Sequence, residues 1–131
     1  MSRWYVHTSA ALKLIVEEAE SSALAAAVDT FDGDLAGCWL LETELRRAAQ
    51  RTEGLEQSAV SQFLDAIDLY AVPSSVFREA GLLPGTSLRS LDALHLAVAV
   101  RLGVDAVVTY DNRMQDCCVS LGLAVLAPTA A

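Results

Sequence analysis

The chain has 131 residues, 53% of them apolar and 20% charged, with a formal net charge of −8. That length suits a single domain, 1–131, with a proper buried core, and the composition excludes a disordered chain. No apolar run is long enough to span a membrane and no signal-peptide layout is visible. Three cysteines, two of them adjacent at Cys117 and Cys118, make no disulfide framework. They are expected as small core residues in a reducing, cytoplasmic setting. The negative charge argues against a nucleic-acid binder, because phosphate neutralisation needs a basic surface. Two features pull the other way. Lys13 is the lone lysine, and three of the arginines, Arg46, Arg47 and Arg51, cluster on one segment. The acid, in turn, could be gathered into a metal site.

In chain order, residues 3–7 predict a strand and 9–18 a helix. A second helix is expected over 21–31, with Ser21 or Ser22 as its cap. A short strand follows at 34–38. Helices are expected at 40–52 and 56–69, separated near Gly54, then a short strand at 70–72 ended by Pro73. A short helix at 75–80 leads through the turn LLPGTS to a long helix, 88–102, closed by Gly103. The run AVVTY at 106–110 predicts a buried strand. Residues 112–121 predict a helix, and 124–126 a final strand before Pro128. Strands alternating with helices imply a parallel sheet covered on both faces, an α/β fold.

Three carboxylates break local rules. Glu44 falls within the apolar stripe Leu40, Leu41, Leu45, Ala48 of its helix, where a charge is out of place. Glu42, four residues before Arg46, suits a solvated ion pair instead. Asp92 opens a helix that is apolar almost all round; it could complement the helix dipole, although Ser87 or Ser90 is available as the cap. Asp111 follows the strand AVVTY directly. It could cap the next helix, but strand C-termini of a parallel sheet also form the ligand crevice. His7 ends another strand and could face Asp111 across that crevice. Asp116 is a secondary candidate on the following helix. Ser9 and Thr109, with Thr8, could hydrogen-bond carboxylates or metal-bound water, or simply cap and pack. His95 lies three residues after Asp92 and could share its face, though a packed core histidine is the plainer reading. Carboxylates gathered in one crevice repel, and Mg²⁺ or Mn²⁺ held by hard oxygen ligands would relieve this and activate water for phosphodiester cleavage.

Four stretches carry a family resemblance: YVHTSAALKLI, LLETELRRAAQR, LRSLDALHLAVAVRLG, and VVTYDNRMQDCCVSLGL with its terminal VLAP. In this order and spacing they resemble a PIN-domain protein of the VapC toxin type. The resemblance spans nearly the whole chain. It implies a three-layer α/β/α sandwich with a short, mostly parallel sheet. It also implies a Mg²⁺- or Mn²⁺-dependent ribonuclease of a type II toxin–antitoxin pair, with RNA as substrate, an antitoxin partner and a homodimeric state. Glu44, Asp92 and Asp111 match the family's acidic positions. His7 falls where the family usually carries aspartate, so H-T-S-A replaces D-T-S-A. Imidazole is a one-sided ligand that suits softer metals than Mg²⁺, which implies an impaired site. The alternative is a PIN-fold binding module that keeps antitoxin or RNA binding without turnover. A phospho-acceptor receiver domain, also an acidic-pocket parallel sheet, needs a lysine late in the chain, and Lys13 does not meet that need.

Overall fold

The structure is a computed structural model that describes residues 2–130. Five parallel strands form one sheet in the order β3-β2-β1-β4-β5. They are β1 (Ser2–Val6), β2 (Gly33–Cys38), β3 (Asp68–Tyr70), β4 (Ala106–Val108) and β5 (Val125–Leu126). Between and around them run α1 (Thr8–Ile15), α2 (Ser21–Thr30), α3 (Leu40–Arg51), α4 (Gln57–Asp65), α5 (Ser74–Gly81), α6 (Ser90–Leu102) and α7 (Asn112–Ser120).

Side-chain alternation along the strands splits the core in two. Tyr5 and Val107 face α5, α6 and α7, packing with Val76, Leu96 and Met114. Their neighbours Val6 and Val108 face the other way, packing with Ala10, Leu24, Leu41, Leu45 and Val60 of α1 to α4. A sheet with two buried faces between helical layers is the expected three-layer α/β/α sandwich. The central strand β4 is accordingly apolar throughout, as are the buried C-terminal halves of β1 and β2.

The strand order sets the position of the site. From β1 the chain builds outward to β2 and β3 on one side, then returns to place β4 and β5 on the other. The reversal falls between β1 and β4, and ligands bind at such a reversal, outside the carboxyl ends of the strands. His7 and Thr109 leave those two strands. The His7 amide donates to the Val108 carbonyl at 3.0 Å, and the Thr109 amide to the Leu126 carbonyl at 3.1 Å, so both residues stay tied to the sheet.

Several boundaries differ from the sequence expectation. Helix α1 stops at Ile15 rather than running to residue 18, because Val16 is extended (φ −116°, ψ 139°). Glu17, Glu18 and Glu20 would place three negative charges at the negative end of the helix dipole. Ser21 does not cap α2. Its hydroxyl donates to the Val16 carbonyl and accepts from the Glu18 amide, fixing the turn between the helices. Helix α4 ends at Asp65, so that Asp68 can pair with Ala36 and begin β3 earlier than expected. Helix α6 begins at Ser90 after an extended Arg89, and neither Ser87 nor Ser90 makes a capping bond there. The far end of α6 is as expected: Gly103 takes the left-handed conformation (φ 64°) that glycine adopts without penalty. The three cysteines are free and buried.

Candidate functional site

His7 is the N-cap of α1. Its backbone is extended, and its Nδ1 accepts from the Ser9 amide at 3.4 Å. Two hydroxyls, Ser9 Oγ at 2.9 Å and Thr109 Oγ1 at 3.1 Å, also lie against Nδ1. On the other side of the ring, Nε2 lies 2.8 Å from Asp92 Oδ1. An ionised carboxylate only accepts and an amide only donates, so these partners assign the ring proton to Nε2. Only 5% of the His7 surface is exposed. The imidazole therefore does what an aspartate would do at the cap, and also reaches across to α6.

Glu44, on α3, is the second centre. The Thr8 hydroxyl donates to its Oε1 at 2.9 Å, and His95 Nε2 bonds to the same oxygen. The other nitrogen of His95, Nδ1, meets the Tyr5 hydroxyl at 2.7 Å and the Cys38 thiol at 3.6 Å. His95 has no exposed surface, so a chain of polar groups runs from Glu44 into the core between β1, β2 and α6. The two histidine rings meet edge to face with centroids 5.5 Å apart, which brings the two histidine–carboxylate pairs side by side.

The electrostatics follow from these contacts. The His7 hydrogen bond holds the Asp92 carboxyl below its ordinary range, against the opposing pull of burial. Burial pushes Glu44 up, but its bonds to His95 and Thr8 outweigh it and the pKa falls. Burial likewise disfavours the His95 cation, yet its contacts with Cys38 and Glu44 raise it to about 9. Glu44 and Asp92 are thus ionised, half-buried groups, each with a histidine against it.

The other candidates take different positions. Asp111 is the N-cap of α7, its Oδ1 accepting from the Met114 amide at 3.0 Å. It touches the cluster through its own amide, which donates to Thr109 Oγ1 at 3.1 Å, rather than through its carboxylate. Ser9 and Thr109 are joined to each other at 3.3 Å, and Ser9 also accepts from the Tyr110 amide. Both brace His7. Asp116 is exposed on α7, and the bond it makes, from Ser120, is to its backbone carbonyl. Arg46 is held by Glu42 at 3.1 Å and by Gln57, as an ion pair on the helix surface, whereas Arg47 and Arg51 are exposed. Tyr5 and Cys38 carry no signal in the sequence. They read as core residues, and nothing local connects Tyr5 to a histidine 90 positions away.

Hard oxygen donors suit Mg²⁺ or Mn²⁺, and the fit can be judged from the donors themselves. His7 has both ring nitrogens engaged. Glu44, Asp92 and Asp111 each have an oxygen taken by a protein donor. Among the described residues, no group of three or more His, Cys, Asp or Glu side chains is placed to hold a metal ion, and no buried side-chain nitrogen or oxygen lacks a partner. As arranged here, the cluster does not fit a divalent cation.

Comparison with known proteins matches the fold. The family model for the PIN domain matches residues 4–119. The chain is 40% identical over 131 residues to Ribonuclease VapC46 of Mycobacterium tuberculosis, covering 98% of this chain and 100% of that one. Among solved structures, VapBC2 from Rickettsia felis bound to a promoter DNA fragment aligns at a TM-score of 0.77 and 14% identity, covering 95% of this chain and 97% of that one. The sarcin-ricin loop cleaving toxin VapC20 of Mycobacterium tuberculosis aligns at 0.75 and 14% identity, covering 95% and 99%. The chain belongs to the PIN-domain family, in its VapC-type branch. Among the described residues, no helix is long and apolar enough to cross a membrane.

Proposed function

We propose that this single-domain chain is the endoribonuclease toxin of a type II toxin–antitoxin pair, acting on RNA in the cytoplasm. The observation that carries this reading is the presence of two ionised carboxylates, Glu44 and Asp92, each bonded to a histidine beside the end of β1, in a chain whose 40%-identical relative is named a ribonuclease. Glu44, Asp92 and Asp111 are the residues of the chemistry, and Ser9 and Thr109 brace His7 beside them. Half-buried, ionised carboxylates can accept hydrogen bonds from a water and orient it as it attacks phosphorus. Mg²⁺ or Mn²⁺ is the cofactor the family resemblance implies for the reaction, and the cluster with His7 bonded to Asp92 would hold it poorly.

The cognate antitoxin is the protein partner, consistent with a structural neighbour that is a toxin–antitoxin complex. A homodimer is part of the same reading. Phe77 and Leu82, on and just after α5, and Leu91 and Val100 on α6 are large apolar side chains left exposed. Arg47 and Arg51 on α3 are free to meet phosphates or acidic groups.

One observation favours the second reading, a PIN-fold module that binds without turnover. His7 is bonded to Asp92 at the position where the family resemblance expects a further carboxylate. The test of the leading reading is cleavage of a panel of structured RNAs with Mg²⁺ or Mn²⁺, with and without EDTA, beside Glu44→Gln. Cleavage that EDTA and Glu44→Gln both abolish is the expected result. RNA binding without any cleavage would replace the leading reading with the second.

A further inference from the structure

We propose that His7 is a built-in substitute for a cation: its imidazole ties the N-terminus of α1 to Asp92, so the strand-end carboxylates hold their places without metal and bind Mg²⁺ or Mn²⁺ weakly. The inference rests on the proposed function only in taking these carboxylates as the site.

The geometry is specific. Aspartate at position 7 would set a second carboxylate opposite Asp92, and two like charges at that distance need a counter-charge between them. The imidazole ring is longer than a carboxylate, and it offers a donor where the carboxylate offers only acceptors. Nε2–H therefore spans the gap to Asp92 at 2.8 Å. Nδ1 keeps the capping contact with Ser9 and is wedged by Thr109 at 3.1 Å, so the ring has no free nitrogen to offer a metal. The ring is 5% exposed and fixed from both sides. The neighbouring carboxylate is treated in the same way, since Glu44 Oε1 is held by Thr8 and by the fully buried His95. A cation must then compete with the His7–Asp92 bond for a carboxylate whose charge already has a partner, whereas an ordinary acidic cluster gains from cation entry at once.

Removing a partner that orients a metal ligand changes affinity by about 10–100-fold. Replacing an occluding partner by a carboxylate should produce a gain of at least the lower figure. The experiment is a Mn²⁺ titration followed by electron paramagnetic resonance, with melting temperature recorded in Mg²⁺ and in EDTA. It uses the full chain, His7→Asp and His7→Asn. Asparagine keeps the capping acceptor but is too short to hold Asp92.

The expected result has three parts. The parent chain melts at the same temperature in Mg²⁺ and in EDTA. His7→Asp binds Mn²⁺ at least about tenfold more tightly than the parent and melts higher in Mg²⁺. His7→Asn falls between the two. A parent chain that binds Mn²⁺ as tightly as His7→Asp, or that Mg²⁺ stabilises equally, overturns the inference. So do two variants that bind no better than the parent. Should His7→Asp fold only with a cation present, that dependence, absent in the parent, supports the inference. If His7→Asp gains the cation and still cleaves no RNA, the nuclease reading fails while this inference stands.

Discussion

His7 Nε2 and Asp92 Oδ1 lie 2.8 Å apart, joining the end of β1 to the first turn of α6 across 85 positions of sequence. The bond is the largest cause of the lowered Asp92 pKa. His7→Ala should therefore let the Asp92 carboxyl titrate at higher pH and cost about 1–3 kcal/mol, the penalty for leaving a partly buried charged acceptor unpaired. Carboxyl-carbon NMR titration and urea unfolding measure the two effects. An Asp92 titration identical in parent and variant would mean that the bond does not hold the carboxylate.

Stability should depend on pH from both sides. Asp92 and Glu44 have folded values below their ordinary 3.8 and 4.5, so their stabilisation is complete above those values and fades as acid carries the pH down through the folded ones. His95 is raised from 6.5 to about 9, so its stabilisation is complete below 6.5 and fades as the pH climbs through about 9. Unfolding free energy should be highest between about 4.5 and 6.5 and decline on the alkaline side by on the order of a few kcal/mol. In His95→Gln the alkaline decline should be much shallower. A parent chain equally stable at pH 6 and at pH 10 would refute this (roughly the interval over which His95 titrates).

Tyr5 is fully buried, and its hydroxyl meets His95 Nδ1 at 2.7 Å. Tyr5→Phe removes that hydroxyl alone and leaves the imidazole nitrogen without its oxygen partner. A loss of about 1–3 kcal/mol is expected in denaturant unfolding, with secondary structure unchanged. Tyr5→Phe as stable as the parent would show that water or the Cys38 thiol takes over the contact.

Asp111 has two assigned roles that two substitutions separate. Asp111→Ala loses the cap on α7 and should cost about 0.5–2 kcal/mol; Asp111→Asn keeps a capping oxygen and should cost little. If the Asp111 carboxylate also serves RNA cleavage, Asp111→Asn should lose activity while its melting temperature stays near that of the parent. An active Asp111→Asn would leave Asp111 with the cap alone.

Much of the site is legible in the linear pattern. Glu44 stands out because a charge inside an apolar stripe needs a partner, and Asp92 because it opens a helix that is apolar all round. The reversal between β1 and β4 follows from alternating strands and helices only once the strand order is known, and strand order is a matter of pairing rather than of local pattern. The partners of the two carboxylates are hidden for the same reason. His95 looks like core, and it is core. What the linear pattern does not display is that the buried nitrogen facing α3 meets Glu44, and that Tyr5 braces the other. Asp111 carries two local meanings, of which the cap is the plainer when the residue is taken alone, and the bond to the Met114 amide is the one realised in its side chain. The ends of α1 and α4 depart from expectation where a charge run and a strand register, both set by surroundings, override helix propensity.

The most direct test is the rate of RNA cleavage by the parent chain and by His7→Asp at matched Mg²⁺, repeated in Mn²⁺. Restoring a carboxylate in place of the imidazole removes the bond that occupies Asp92 and adds a hard oxygen donor. His7→Asp should cleave at least about tenfold faster in Mg²⁺, equivalent to about 1.4 kcal/mol of barrier, and likewise in Mn²⁺, because the His7 ring has no free nitrogen to offer either ion. Equal rates for the two chains in Mg²⁺ would contradict the assignment of His7 as the residue that closes the site.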